Sequence, residues 1–308
     1  MADIRIVSLI ASATEIVCAL GYKDYLVGRS HECDYPEEIK ALPICTSVKF
    51  AVDGSSYQID QRVKAILQEG LSVYKVSAEM LEKLQPTHLV TQTQCEVCAV
   101  SLKDVEEAVC QMISSQPLIV SLEPNCLEDI WQDIKKVANA LGATRAGEEL
   151  TIKLKKRMED VVERCKSVSQ QPTVACIEWI EPLMSTGNWM PELVKMAAGI
   201  NLFGLAGKHS PWMQWSQLVE CNPDIIVVMP CGFDIERTLQ EMHLISQKKE
   251  WKDLKAVSTN RVFVADGNQY FNRPGPRVVE SLEILAEIFH PELFTSKYEN
   301  VGWIRYKK

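Results

Sequence analysis

The chain has 308 residues, of which 46% are hydrophobic and 24% are charged, and its formal net charge at pH 7 is −8. These values describe a globular protein with one large domain or two ordinary ones, and they exclude a disordered or collagen-like chain. The 41 acidic residues outnumber the 33 basic ones. This balance argues against binding of duplex nucleic acid, which requires a basic surface to displace counterions from phosphates.

The N-terminal segment contains a short apolar run that lies between Arg5 and Glu15, with no cationic region before it. We therefore expect neither a signal peptide nor a membrane span, and we expect a cytoplasmic location. In that reducing compartment, the eleven cysteines are predicted to act as ligands or redox groups rather than to form structural disulfides.

Short β-branched runs alternate with amphipathic segments in the first half of the chain, which predicts parallel strands connected by helices. The strand candidates are RIVSLI, YLVGRS, THLVTQ and PLIVSL. Helices are expected over EIVCALG, VSAEMLEKLQ, SLKDVEEAVCQMI and CLEDIWQDIKKVANALG. Together these elements predict an α/β lobe over residues 1–142.

Residues 143–170 form a charged segment that lacks Pro and, after Gly147, also lacks Gly. Its narrow apolar stripe predicts one long helix that links two lobes. The strand and helix alternation resumes with TVACIEWI, PELVKMAAGI, DIIVVMP, IERTLQEMHLISQ, RVFVADG and RVVESLEILAEIFHPELF. We therefore predict an α/β fold with two Rossmann-like lobes, the second over residues 171–295, followed by a tail at 296–308.

Side chains able to bind metal follow several predicted strands, at the positions where open α/β sheets bind ligands. The candidate metal ligands are His31, Cys33, Cys95, Cys98 and Cys231. Cys95 and Cys98 have the Cys-x-x-Cys spacing, which lets two thiolates chelate one metal or form a redox disulfide. Zn²⁺ and an iron-sulfur cluster are the candidate groups, and simple packing is the alternative for this pair.

No catalytic residue can be assigned from the sequence. The Gly-x-Ser-x-Gly turn of α/β-hydrolases is absent, and the glycines match no phosphate-binding motif. Whether the protein is an enzyme is therefore open, and the pattern favours a binding protein.

Four segments carry a resemblance to a known family: IVSLIASATEIVCALG, LVGRSHECDYP, HSPWMQWSQLVECNPDIIVV and NQYFNRPGPRVVESLEILAEI. Over roughly residues 4–290, the chain resembles the vitamin B12-binding proteins of bacterial ABC importers, which are class III periplasmic binding proteins. The resemblance implies two lobes joined by one rigid helix. It also implies that a corrinoid, haem or other metal chelate is held between the lobes by aromatic side chains.

The resemblance and the strand-end positions together give a set of candidate ligand-binding residues. They are Trp179, Trp189, Trp212, Tyr270, Phe271 and Arg273. Aromatic rings suit a large flat conjugated ligand because each one buries much apolar area. Arg273 is expected to meet a propionate, phosphate or amide oxygen of the ligand.

The resemblance further implies one permease-docking Glu on each lobe. Glu79 lies seven residues before Pro86, but Ser216 occupies the matching position before Pro223. This departure, together with the expected absence of a leader, argues against a transport receptor.

We therefore expect an intracellular protein that holds a corrinoid such as cobalamin, or a related metal chelate. One alternative is a cysteine-ligated metal or iron-sulfur redox protein on the same fold. Another is an ABC importer substrate-binding protein that has lost its leader.

Overall fold

The computed structural model describes residues 4–69, 72–93, 102–110 and 116–307, and the chain divides into two compact units. Unit one comprises residues 1–54, 58–124 and 128–153, and unit two comprises residues 55–57, 125–127 and 154–308. The boundary therefore falls within the long helix Thr144–Cys165, which begins in unit one and ends in unit two.

Unit one contains a parallel sheet and a separate antiparallel pair of strands. The strands are β1 (Ile6–Ser8), β2 (Leu26–Arg29), β3 (Thr46–Val48), β4 (Tyr74–Val76), β5 (His88–Gln92) and β6 (Leu118–Leu122). The sheet order is β2-β1-β5-β6, all parallel, and β3 pairs with β4. The helices are α1 (Ala11–Ala19), α2 (Ser56–Gln68), α3 (Ala78–Leu84), α4 (Leu102–Cys110), α5 (Leu127–Ala140) and α6 (Thr144–Cys165).

The core of unit one explains why its strands are rich in branched apolar residues. Val7, Leu81 and Leu89 are fully buried in one cluster, as expected for a parallel sheet that helices cover. Gly28 on β2 allows close packing there, since a Cβ atom would lie 2.7 Å from Cys45 Sγ and would force a neighbouring side chain to shift.

Unit two contains a mixed sheet of order β12-β11-β10-β7-β8, with β9 also paired to β7. The strands are β7 (Thr173–Trp179), β8 (Met184–Ser185), β9 (Ile200–Asn201), β10 (Ile225–Val228), β11 (Val262–Ala265) and β12 (Trp303–Arg305). The central three are parallel, whereas β8 and β12 are antiparallel to their neighbours. The helices are α7 (Met190–Met196), α8 (Trp215–Cys221), α9 (Ile235–Glu241), α10 (His243–Ser246), α11 (Lys255–Ser258) and α12 (Val278–Phe289).

The segment predicted as a tail contributes a strand to the sheet of unit two. In β12, Trp303 pairs with Ala265 of β11. The buried carboxylate of Glu287 on α12 accepts the main-chain N–H groups of Lys297 and Tyr298 and the indole N–H of Trp303. A three-residue strand is too short to show a periodicity, which is why the sequence pattern misses it.

The predicted fold class is confirmed: the chain is α/β, with two Rossmann-like units and one long connecting helix. The domain limits at 142, 170 and 295 remain predictions. Within the described ranges, no helix combines the length and the apolar character that crossing a membrane requires.

Candidate functional site

In unit one, the loop after β2 places His31 at the carboxyl end of the parallel strands. Its Nδ1 lies 2.8 Å from Thr46 Oγ1 on β3, and its ring centroid lies 5.5 Å from that of Tyr74 on β4. Tyr74 donates its hydroxyl proton to Glu32 Oε1 at 3.0 Å. Burial, and secondarily the charge of Arg29, lower the pKa of His31, so the imidazole is neutral at pH 7.

Cys33, two residues further on, points into the core of unit one. Its side chain is buried, and Thr14 Oγ1 on α1 lies 3.0 Å from its Sγ. A buried cysteine of this kind packs as a small hydrophobe, so its geometry does not support the predicted ligand role.

Neither do the described residues bring together the other predicted metal ligands. Cys231 is half-buried in unit two, and its main-chain N–H donates to the Glu178 carbonyl at 3.1 Å. Cys95 and Cys98 lie outside the described residues. Within the part of the chain that the structure describes, no group of three or more His, Cys, Asp or Glu side chains is placed to hold a metal ion.

In unit two, the ends of β7 and β10 bring together an aromatic pair. The Trp179 and Phe233 rings have centroids 5.2 Å apart, and the Arg237 guanidinium lies 4.4 Å from the centre of the Phe233 ring. Among the described residues, the buried Trp179 Nε1 has no hydrogen-bond partner. Since buried polar groups are normally satisfied by protein or water, this N–H can donate to a water or to a ligand.

The loop after β11, residues 266–273, carries three further candidates, and its start approaches the end of β10 closely. A Cβ atom on Gly267 would lie 2.1 Å from the Pro230 carbonyl oxygen, so only glycine fits. Asp266 Oδ1 accepts the N–H groups of Asn268 and Gln269. Burial raises the pKa of Asp266 despite these bonds. The start of the loop is therefore held in place by hydrogen bonds within the loop itself.

Two of the predicted aromatic residues, Trp189 and Phe271, are buried and form hydrogen bonds that hold this loop. Trp189 is 6% exposed and donates its indole N–H to the Phe271 carbonyl at 3.0 Å. Phe271 is 1% exposed, and its N–H donates to Ser281 Oγ at 3.0 Å. Burial this deep gives both side chains a packing role, and their predicted contact with a ligand remains a prediction.

The other predicted residues differ in how accessible they are. Trp212 is 55% exposed and forms an isolated β-bridge with Met184 of β8. Tyr270 is half-buried, with its ring centroid 6.1 Å from that of Tyr298. Arg273 is buried and donates to Asn268 Oδ1 at 3.1 Å. Trp212 therefore presents the largest accessible aromatic surface of the candidate set.

Phe233, Tyr74 and Thr46 are site residues that the sequence analysis missed. Phe233 lies two residues after Cys231, so its position near a strand end was a usable signal. Tyr74 and Thr46 begin the short strands β4 and β3, and no sequence pattern shows that these strands pair.

Each unit carries the same short helix before a central strand, α3 in unit one and α8 in unit two. Both are seven residues long and end at a left-handed residue, Gln85 or Asn222, that precedes a proline. Glu79 and Ser216 are the second residues of these helices, and both are exposed. The structure thus gives them equivalent positions, with the carboxylate present only in unit one.

Comparisons with known proteins agree with this architecture. An uncharacterised ABC transporter substrate-binding lipoprotein of Bacillus subtilis, YvrC, is 23% identical over 298 residues, covering 94% of this chain and 81% of its own. The vitamin B12-binding protein of Vibrio cholerae is 22% identical over 283 residues, covering 91% and 86%.

Among solved structures, the apo form of the periplasmic heme-binding protein RhuT from Roseiflexus sp. RS-1 has a TM-score of 0.70 at 21% identity, covering 94% of this chain and 99% of that one. The family profile described as periplasmic binding protein matches residues 6–268. Since this match spans most of the sequence, the chain belongs to the periplasmic binding protein family.

Proposed function

We infer that this protein is the substrate-binding component of an ABC importer and that its ligand is tetrapyrrole-like, either haem or a corrinoid such as cobalamin. The observation that carries this proposal is the exposed indole of Trp212 in a chain whose relatives over most of its length include a vitamin B12-binding protein and a heme-binding protein. An exposed aromatic face suits a flat conjugated ligand because stacking removes apolar area from water on both sides.

The importer role replaces the intracellular role expected from the sequence. The Bacillus subtilis relative is itself a substrate-binding lipoprotein of an ABC transporter. The exposed position of Glu79 in α3 also supports permease docking through unit one, with Ser216 giving a weaker contact in unit two. No described ligand set favours the alternative of a cysteine-ligated zinc or iron-sulfur protein.

The test is a titration of the purified protein with haemin, cobinamide and cyanocobalamin, followed by absorbance. We expect submicromolar to micromolar binding of at least one ligand, and Trp212→Ala should weaken that binding roughly 3- to 30-fold because it removes an aromatic contact. Tyr25→Ala is the matched control, since Tyr25 is an exposed aromatic residue of unit one that pairs with Tyr22. If none of the three ligands binds more tightly than about 100 μM, the proposed function is wrong.

A further inference from the structure

We propose that a cavity of unit two binds an aliphatic diamine, a short chain of methylene groups with an ammonium at each end. This inference goes beyond the proposed function and does not depend on it. The cavity lies between the first turns of α9, the start of the loop after β11 and residues 300–304, and its volume is about 400 Å³. This volume is in the range of small-molecule sites.

Much of the cavity lining is aliphatic. Ile235 and Leu239 of α9 and Val301 and Ile304 of the C-terminal segment line it. Leu239 and Val301 are both exposed. A ligand with a methylene chain would remove this apolar surface from water, which favours binding.

Asp266 supplies a buried negative charge to the same cavity. Its side chain is 8% exposed, and Oδ1 accepts the main-chain N–H groups of Asn268 and Gln269. None of the residues that the structure describes donates a hydrogen bond to Oδ2. Burial, and to a lesser degree the charge of Asp234, raise the pKa of Asp266, so its neighbours compensate the carboxylate only in part. Since buried polar groups are normally satisfied, Oδ2 is an acceptor for the N–H of a cationic ligand.

Two further carboxylates, both exposed, line the cavity. They are Asp234, whose Oδ1 accepts the Arg237 main-chain N–H at 2.7 Å, and Glu236. No lysine, arginine or histidine is among the described residues of the lining. The cavity therefore carries negative charge at a buried position and at exposed positions. A ligand with two cationic ends complements both, whereas a monoamine complements only one.

A metal ion is a poorer match than a diamine. Within the described ranges, no three His, Cys, Asp or Glu side chains are placed to hold a metal ion. The aliphatic part of the lining would also contribute nothing to metal binding, because Ca²⁺ and Mg²⁺ take oxygen ligands.

Isothermal titration calorimetry with putrescine and cadaverine tests the proposal. The titration is done without tetrapyrrole, at about 0.15 M salt to screen interactions between separated surface charges. We expect dissociation constants of about 10 μM to 1 mM. Butylamine, with one ammonium, should bind about tenfold more weakly or worse, and the uncharged butanediol should not bind measurably.

Three variants locate the bound diamine. Asp266→Asn removes the buried charge but keeps an oxygen for the two main-chain N–H groups, and it should weaken putrescine binding about tenfold or more. Asp234→Asn keeps the N-cap of α9 and should weaken binding about threefold. Leu239→Lys brings a competing ammonium to the aliphatic part of the lining and should abolish binding. Circular dichroism verifies that each variant is folded.

Asp160→Asn is the matched control for the loss of one negative charge from unit two. Asp160 is an exposed carboxylate on α6 that pairs with Lys156 at 2.9 Å, and its replacement should leave putrescine affinity unchanged. If Asp160→Asn weakens binding as much as Asp266→Asn, the diamine responds only to the net charge of the chain, and the proposal is wrong.

Other results would also overturn the proposal. It is wrong if the diamines bind no more tightly than butylamine, or if no amine binds more tightly than about 10 mM, whatever the tetrapyrrole titration shows. If Asp266→Asn does not fold, unchanged putrescine affinity in both Asp234→Asn and Leu239→Lys excludes this cavity as the site.

Discussion

At the scale of single residues, the loop after β11 combines backbone strain with hydrogen bonds that hold it. Phe271 has φ of +61°, a left-handed conformation that is costly for a bulky side chain. Its N–H donates to Ser281 Oγ, and its carbonyl accepts from Trp189 Nε1. Such strain persists only where surrounding contacts hold the residue in that conformation. Here the two hydrogen bonds hold Phe271, which lies between the candidate ligand-binding residues Tyr270 and Arg273.

The indole of Trp189 should therefore be needed for ligand binding even though it is buried. Trp189→Phe keeps most of the packing but leaves the Phe271 carbonyl without its donor, so we expect a loss of about 1–3 kcal/mol in the free energy of unfolding. We also expect several-fold weaker tetrapyrrole binding. Urea denaturation and the absorbance titration measure the two effects.

Trp215→Phe is the matched control for Trp189→Phe. It removes a similar indole hydrogen bond, from Trp215 Nε1 to Glu250 Oε2 at 3.0 Å, far from the loop in sequence. It should lower stability slightly and leave affinity unchanged. Equal affinities for the two variants would show that Trp189 does not position the loop.

At the scale of secondary structure, α12 organises the C-terminal segment through one carboxylate. Glu287 accepts hydrogen bonds from Lys297 N at 2.8 Å, Tyr298 N at 3.0 Å and Trp303 Nε1 at 3.0 Å. These bonds fix the turn from which β12 runs antiparallel to β11. The segment thus belongs to the fold of unit two because a buried charge is fully satisfied there.

Replacing Glu287 should release this segment. Glu287→Ala leaves two buried donors, Tyr298 N and Trp303 Nε1, and the partly buried N–H of Lys297 without their acceptor, and we expect a loss of about 2–4 kcal/mol in the free energy of unfolding. Amide hydrogen exchange at Lys297 and Tyr298 should become faster. Glu292→Ala, at an exposed carboxylate 3.7 Å from His290 Nδ1, is the control and should change stability by less than about 0.5 kcal/mol. Unchanged exchange at residues 297 and 298 would contradict the assigned role of Glu287.

The length of each element explains how much of the fold is predictable from the sequence. The runs THLVTQ, PLIVSL and DIIVVMP contain β5, β6 and β10. The signal is strongest for β10, because a strand buried on both faces is a continuous apolar run bounded by polar residues. The long helix is predicted at 143–170 and found at Thr144–Cys165, since a helix without Pro has few places to end. In contrast, β3, β4 and β12 have three residues each, too few for a period.

The same limit applies to the candidate site. His31 is predictable as a strand-end residue, but its partners Thr46 and Tyr74 lie on β3 and β4, and the register of that pair is set by tertiary packing. The sequence also does not show that Trp189 and Phe271 are buried, because an aromatic residue in a loop after a strand can face either solvent or the core. Cys33, two residues after His31, suggests a metal site in the sequence, whereas in three dimensions its buried thiol contacts Thr14.

At the scale of the whole molecule, two carboxylates shift stability in opposite directions with pH. Burial raises the pKa of Asp133 on α5 to about 7, although the Glu123 N–H donates to it. In unit two, burial alone would raise the pKa of Asp224, but hydrogen bonds from Lys255 and Thr173 lower it to about 2. The net charge of −8 at pH 7 adds a general repulsion that grows as pH rises.

The unfolded-state pKa of both carboxyls is near 4, which sets the pH windows. Folded Asp133 holds its proton more tightly than the unfolded chain does, so its contribution to stability is present below about pH 4 and is lost as pH rises through about 7. The contribution of Asp224 is present above about pH 4 and is lost as pH falls toward 2. The free energy of unfolding should therefore decrease between pH 5 and about pH 7, with a slope from Asp133 approaching about 1.4 kcal/mol per pH unit, and should level off by pH 8.

Asp133→Asn should remove most of this decrease, because the neutral amide still accepts the Glu123 N–H and no longer has to lose a proton in a buried position. Glu128→Gln, on the same helix and exposed, removes an equal charge and should keep the slope, which separates the buried carboxyl from general charge repulsion. Asp224→Asn should flatten the profile only below about pH 4. Urea unfolding followed by circular dichroism between pH 3 and pH 8 measures all four proteins. If Asp133→Asn and Glu128→Gln show the same slope between pH 5 and pH 8, the pH dependence arises from net charge and the assignment to Asp133 is wrong.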